Sequence, residues 1–290
     1  LRRLTDFYLE AGAKGLFANC LSSEMFHLTE PERLLVVETV VAQTNGKVPV
    51  LASGTFGRDL AKNVSFTAKL VDLGVHTSVI ITNQLCDQEA DEEVFTAVVE
   101  ELLAQAGEIN FGLYECPVPH KRLLSPNLLK LLGETGHFTY HKDTSCDLDQ
   151  IERKLQATQG TRLNIFNANT PTALASVQKG AAGVSPIAGN FFPELFAHLM
   201  SRIDVGEEVS KLNRLITILD EITGNQYYPL SAKIFLQMRG LAIEPITRTP
   251  TPELAKQDFI KLQAMLDSIS ALADDLGIDL VLSQRVKENF

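Results

Sequence analysis

Short apolar runs alternate with amphipathic stretches along most of this chain. The runs are GLFAN (15–19), VPVLAS (48–53), TSVIIT (77–82), INFGLY (109–114), HFTYHK (137–142), RLNIFN (162–167) and GVSPIA (183–188). Each is rich in β-formers and most are nearly continuous in apolar character, as strands covered on both faces are. Their starts lie about 20–33 residues apart, which is room for one strand, one helix and two short connections.

Helix punctuation fills the gaps. Thr29 with Glu32 reads as a capping box, with Pro31 in the first turn of a helix running to about Gln43. Ser125-Pro126, Asp147 and Thr170-Pro171 open further helices, and Gly74 and Gly180 stand where a left-handed residue ends one. Repeated βα units predict a parallel sheet. Seven strands are countable, and a (β/α)8 TIM barrel needs eight. The chain opens with an amphipathic helix, LRRLTDFYLEAG, so the first strand is expected upstream of Leu1, between GLFAN and GVSPIA. Without it, a sheet meant to close has two unpaired edges. An open doubly wound sheet is the alternative, although no G-x-G-x-x-G follows any run. Beyond about residue 205 the runs stop, and 207–223, 230–239 and 252–275 read as helices. The expected division is therefore a barrel over 1–204 and a helical extension over 205–290.

Composition narrows the function classes. Of 290 residues, 45% are hydrophobic and 21% charged, a globular balance. The net charge of −10 repels phosphate backbones and anionic lipid, and the densest basic run, His120-Lys121-Arg122, is short; neither a nucleic acid nor a membrane is an expected partner. No apolar stretch reaches the roughly 18–20 residues that cross a bilayer. Cys20, Cys86, Cys116 and Cys146 lie far apart without a C-x-x-C, which fits reduced thiols and a cytoplasmic location.

In a barrel, chemistry sits where strands end. That rule selects residues 19–24, Ser53-Gly54, Thr82-Asn83, residues 114–117, Lys142-Asp143, residues 167–169 and residues 185–190. Lys142 closes the run FTYHK. An amine kept from water is disfavoured as ammonium, and lowering its pKa by three units corresponds to about 4 kcal/mol of differential solvation. The product is a neutral nucleophile. Lys142 is either that or a rim lysine paired with a carboxylate. Tyr114 is likewise either a packed rim aromatic or a general acid and base, for which its pKa near 10 needs lowering. His120, His137 and His141 read as packing residues, and the cysteines as small buried thiols with no metal site.

HKDTSCD (141–147) resembles the I-K-D-[ST]-S-G-D segment of the dihydrodipicolinate synthase / N-acetylneuraminate lyase family. In the same order, GLFANCLSSE (15–24) is similar to its G-x-x-x-x-G-[ST]-T-G-E, LYECP (113–117) to its Y-N-x-P, and GAAGVSPIAGNFFPELF (180–196) to its G-x-x-G-x-[IV]-[SP]-x-x-[AG]-N-x-x-P. The resemblance implies a class I aldolase or lyase that needs no cofactor beyond a covalent lysine imine to pyruvate or a related 2-oxo acid. Lys142 would be the Schiff-base lysine and Tyr114 the proton shuttle. Substrate binding would fall to Leu21, Ser22 and Ser23 of the first loop and to Ser185, with Ser22 on the oxo-acid carboxylate and Glu24 structural.

Departures accompany the resemblance. Leu21 replaces the first hydroxyl of the [ST]-T pair. Thr82 to Leu85 holds no aromatic where synthase members carry a tyrosine that reaches the neighbouring subunit. Pro119 stands where their substrate-binding arginine falls, and Glu115 replaces the Asn after the tyrosine. Lys121 or Arg122 would have to serve a second carboxylate, unless both are solvated surface charges; Asn167 and Asn169 either shape the aldehyde end of the pocket or belong to an ordinary loop. The expectation is an enzyme acting on a 2-oxo acid and an aldehyde, assembled as a homodimer or homotetramer. The alternative is a catalytically impaired relative that binds a 2-oxo acid as sensor or orphan scaffold.

Overall fold

The computed structural model describes residues 1–203 and 206–281. In chain order the elements are α1 (Arg2–Glu10), β1 (Leu16–Ala18), α2 (Glu30–Thr44), β2 (Val50–Ser53), α3 (Leu60–Asp72), β3 (Thr77–Ile81), α4 (Glu92–Ala106), β4 (Phe111–Tyr114), α5 (Pro126–Glu134), β5 (Phe138–Asp143), α6 (Leu148–Ala157), β6 (Asn164–Asn167), α7 (Ala173–Gln178), β7 (Gly183–Val184), α8 (Pro193–Ser201), α9 (Gly206–Thr223), α10 (Leu230–Met238) and α11 (Lys256–Leu276). Contacts divide them into two compact units, Gly15–Ser185, and Leu1–Lys14 together with the described residues from Pro186 onward. This cut by contact differs from the 1–204 and 205–290 division, which follows the change of element type.

Gly15–Ser185 holds all seven strands, which pair in parallel in the order of the chain. β1 and β7, the two strands that an eighth is expected to join, each pair with one strand among the described residues. The architecture is the expected β/α barrel class.

Local sequence explains the element boundaries. Thr29 and Glu32 form the capping box, with the Thr29 amide donating to the Glu32 carboxylate at 2.8 Å. Ser125 Oγ accepts from the Leu128 amide, and Asp147 from the amides of Asp149 and Gln150. Gly74 and Gly180 take φ of 89° and 108° just beyond the ends of α3 and α7. Two starts differ from expectation: α11 begins at Lys256 and not at residue 252, and the helix after β6 begins late. Thr170-Pro171 forms a turn, and α7 begins at Ala173, because Asn169 Oδ1 accepts the Thr172 amide first.

Apolar residues of this unit separate into an outer and an inner set. Phe111, Leu113 and Phe138 pack with Phe95, Val99, Leu102, Leu128 and Leu132 of α4 and α5. Leu51, Val79, Ile81, Tyr114 and Tyr140 cluster with Met25 and Cys116, with Phe17 and Phe166 against them. Alternating strand residues face opposite ways, so one strand feeds both sets. In the other unit Phe7, Leu236 and Leu241 form a smaller core. There Arg239 pairs with Glu194 in a buried bridge and donates to the Phe191 carbonyl at 2.7 Å.

Candidate active site

Tyr114 and Lys142 stand opposite each other at the ends of β4 and β5. A β-bulge creates this pairing. Phe111 aligns with Phe138, but Gly112 aligns with Tyr140, so Thr139 is an extra residue on β5. Continued without it, the register would set His141 against Tyr114. The bulge therefore places Phe138 among the helices and Tyr140 with Lys142 on the inner face. Gly112 makes room: a Cβ there would lie 3.1 Å from Tyr140 Cδ1 and 3.2 Å from Thr77 Cγ2.

The half-buried Lys142 amine sits among aromatic rings. Its Nζ is 4.9 Å from the Tyr114 ring centroid and 5.8 Å from that of Phe17. Tyr140 lies beside Phe166 at 4.8 Å between centroids. Burial lowers the Lys142 pKa, while the nearby thiols of Cys20 and Cys116 pull it the other way. The opposite holds for Tyr114. Burial, then Cys116 and Cys20, raise its phenol above the usual value, where the sequence reading called for a lowered one. A group only 4% exposed has little water to stabilise a phenolate. Tyr114 is thus held in its protonated form. Cys116, fully buried, is also raised by burial, and its Sγ donates to the Val118 carbonyl at 3.5 Å.

Leu21, Ser22 and Ser23 form a one-turn 3-10 helix between Cys20 and Glu24. Ser23 Oγ accepts from the Cys20 amide at 2.8 Å and donates to the Cys20 carbonyl at 3.0 Å, so it holds the turn together. The half-buried Ser22 hydroxyl makes no hydrogen bond among the described residues. Leu21 packs against the inner cluster. Ser185 offsets part of the rise that burial imposes on the Tyr140 phenol, two residues before Lys142, and its amide donates to the Asn167 carbonyl at 2.8 Å.

Behind this pair, on the outer face, lies a buried ionic cluster. Lys154 of α6 donates to Glu115 Oε1 and to Asp143 Oδ2, each at 2.6 Å. His141 Nε2 is 3.5 Å from Glu115 Oε1 and 3.9 Å from Asp143 Oδ2. The Leu124 and Thr144 amides complete the Glu115 carboxylate at 2.8 and 2.9 Å. Burial by itself would raise the Glu115 carboxyl. His141, Lys154 and the Leu124 amide overrule it and hold its pKa down at about 2. Glu115, His141 and Asp143 present ligand-type atoms within 4.8 Å of one another, but the Lys154 ammonium lies against both carboxylates.

The polar residues around the rim are mostly committed to backbone. Arg122 donates to the carbonyls of Asp87, Gln88 and Ala90, and Lys121 to that of Thr144, which accounts for both cations without a second carboxylate. Asn83 donates to the carbonyls of Cys116, Val118 and His120. Asn167 and Asn169 shape the turn before α7 through Thr172 and Ser176. Cys20, Cys86 and Cys116 are buried as expected, but Cys146 is exposed, so the buried-thiol expectation fails for it.

Sequence reasoning missed Tyr140, Phe17 and the Glu115–Lys154 pair. Period-two parity with Lys142 was the available signal for Tyr140. Nothing local links Glu115 to a lysine 39 residues away.

A parallel β/α barrel with an amine and a phenol facing each other at the ends of neighbouring strands defines the class. The model of the dihydrodipicolinate synthetase family matches residues 1–269, and the chain belongs to that family. Among curated relatives, 4-hydroxy-tetrahydrodipicolinate synthase of Methanococcus vannielii is 24% identical over 277 residues, covering 94% of this chain and 92% of its own. Two solved structures show the same fold. Dihydrodipicolinate synthase from Acinetobacter baumannii complexed with pyruvate superposes with a TM-score of 0.81 at 21% identity, over 96% of this chain and 92% of that one. YagE, a prophage protein of the dihydrodipicolinic acid synthase family from E. coli K12 in complex with pyruvate, gives 0.83 at 17%, over 93% and 91%.

Proposed function

We propose that this chain is a class I aldolase or lyase that joins Lys142 to pyruvate or a related 2-oxo acid as a Schiff base, and makes or breaks a carbon–carbon bond to an aldehyde. The observation that carries this is the Tyr114–Lys142 pairing, an amine with a lowered pKa opposite a phenol held protonated. Membership of the family and the pyruvate bound by two of the structural neighbours support the choice of 2-oxo acid.

The neutral Lys142 amine adds to the C2 carbonyl while the Tyr114 hydroxyl protonates the oxygen. Water then leaves the carbinolamine and a protonated imine remains. The phenolate left on Tyr114 takes a C3 proton to give an enamine, the enamine carbon attacks the aldehyde carbon, and the phenol hands its proton to the new alkoxide; water then hydrolyses the imine, returning a proton to Tyr114 as the amine is freed. The positive imine nitrogen is the electron sink, so the sequence needs no further cofactor. A phenol that stays protonated until the carbinolamine forms suits the first transfer. The free Ser22 hydroxyl serves the substrate carboxylate.

A second reading has its own support. Leu21 removes a hydroxyl, and Lys121 and Arg122 are engaged with carbonyls, so a relative that binds a 2-oxo acid without turnover is the alternative. Aldol and retro-aldol assays across 2-keto-3-deoxy sugar acids, sialic acid, 4-hydroxy-2-oxoglutarate and aspartate semialdehyde separate the two. Turnover lost in Lys142→Ala supports an enzyme. Binding of 2-oxo acid with no turnover across the panel supports the alternative.

A further inference from the structure

Resting on the reading of Lys142 as the reactive amine, we propose that Lys154 is a positioning residue: its ammonium ties the ends of β4 and β5 together behind Tyr114 and Lys142, and cancels carboxylate charge that would otherwise reach the Lys142 amine.

The geometry is a consequence of strand alternation. Tyr114 and Lys142 pair across β4 and β5 on the inner face. Their successors in the chain, Glu115 and Asp143, therefore project to the opposite face. Both carboxylates are fully buried, and a single side chain from α6 reaches both at 2.6 Å. The separation of the reactive pair is thus fixed one residue further along each strand, where the substrate does not enter.

Charge gives the second half. Two carboxylates in a dry interior stabilise any nearby ammonium, and fields there fall off slowly. Lys142 must instead remain largely neutral to react. The charged and titratable groups facing the cluster are Glu115 from β4, His141 and Asp143 from β5, and Lys154 from α6, with Lys121 bonded to the Thr144 carbonyl beside it. Those facing the Lys142 amine are Tyr114, Cys20 and Cys116. Removing Lys154 leaves two buried anions on the residues next in the chain to Tyr114 and Lys142, and on this proposal the amine then holds its proton to higher pH.

The test is competitive acetic anhydride labelling of Lys142 against pH, read by mass spectrometry on the full chain, with circular dichroism to confirm folding. Lys154→Met should move the labelling midpoint up by about one pH unit or more. The double variant Glu115→Gln with Lys154→Met, which removes one charge of each sign, should return it towards the wild-type value. Glu115→Gln alone should move it down, and this arm decides the matter if Lys154→Met does not fold. A midpoint unchanged in folded Lys154→Met, or unchanged or raised in Glu115→Gln, would overturn the proposal. Labelling needs no 2-oxo acid. A wild-type chain that labels with a low midpoint but never forms an imine therefore refutes the aldolase reading and leaves this one standing.

Discussion

An amine attacks a carbonyl through its lone pair, so the pH at which Lys142 loses its proton should govern the rate of the imine formation proposed for it. Burial lowers that pKa from 10.5, and the neutral form accordingly survives to lower pH than in a free lysine. The trapping rate with pyruvate should rise with pH and reach half its plateau below pH 10.5; a midpoint at the free-lysine value would contradict the burial argument. The Tyr114 phenol is shifted in the opposite sense, so in the proposed mechanism it is a donor first and a base only after giving up its proton. Tyr114→Phe should slow turnover by roughly 10²–10⁴-fold, the usual scale of one acid–base group, with a smaller effect on substrate binding. Steady-state kinetics that leave kcat within a factor of two would remove Tyr114 from the mechanism.

Strands β4 and β5 and helix α6 are held by an ionic core, and its pH dependence has a definite sign. Against burial, His141, Lys154 and the Leu124 amide hold the Glu115 carboxyl down at about 2 in the fold, against 4.5 for an ordinary carboxyl. Its stabilisation is thus complete above about pH 4.5 and is lost as pH falls towards about 2. Denaturant unfolding between pH 6 and 3 should show a loss of a few kcal/mol that is reduced in Glu115→Gln. Lys154→Met leaves buried anions without their partner and should cost about 3–5 kcal/mol. Close packing matters just beyond the end of β2 as well. A Cβ on Gly54 would come within 2.1 Å of Ser78 Oγ and 2.7 Å of Thr67 Oγ1, so Gly54→Ala should lower stability by about 1–3 kcal/mol in the same measurement. The strands and the helix caps were legible in the sequence because hydrophobic period and capping chemistry are local. The placement of Lys142 and Tyr114 at the ends of neighbouring strands was legible because each closes an apolar run. The bulge at Thr139 was not, since FTYHK alternates evenly and gives no sign that Phe138 and Lys142 face different ways. Lys154 was hidden for another reason: on an amphipathic helix a lysine reads as solvated, and only the fold shows two carboxylates waiting for it.

For the chain as a whole, family membership leads to one expectation about assembly and one about chemistry. We expect a homodimer or homotetramer, and sedimentation at micromolar concentration checks it; a lone species of 31.9 kDa would count against it. The chemistry is tested most directly by reducing the protein with borohydride in the presence of pyruvate and locating the adduct by mass spectrometry. One pyruvate-derived group should appear on Lys142 and on no other lysine, and Lys142→Ala should abolish it. An unmodified Lys142 under saturating 2-oxo acid, across the whole panel of substrates, would contradict the account.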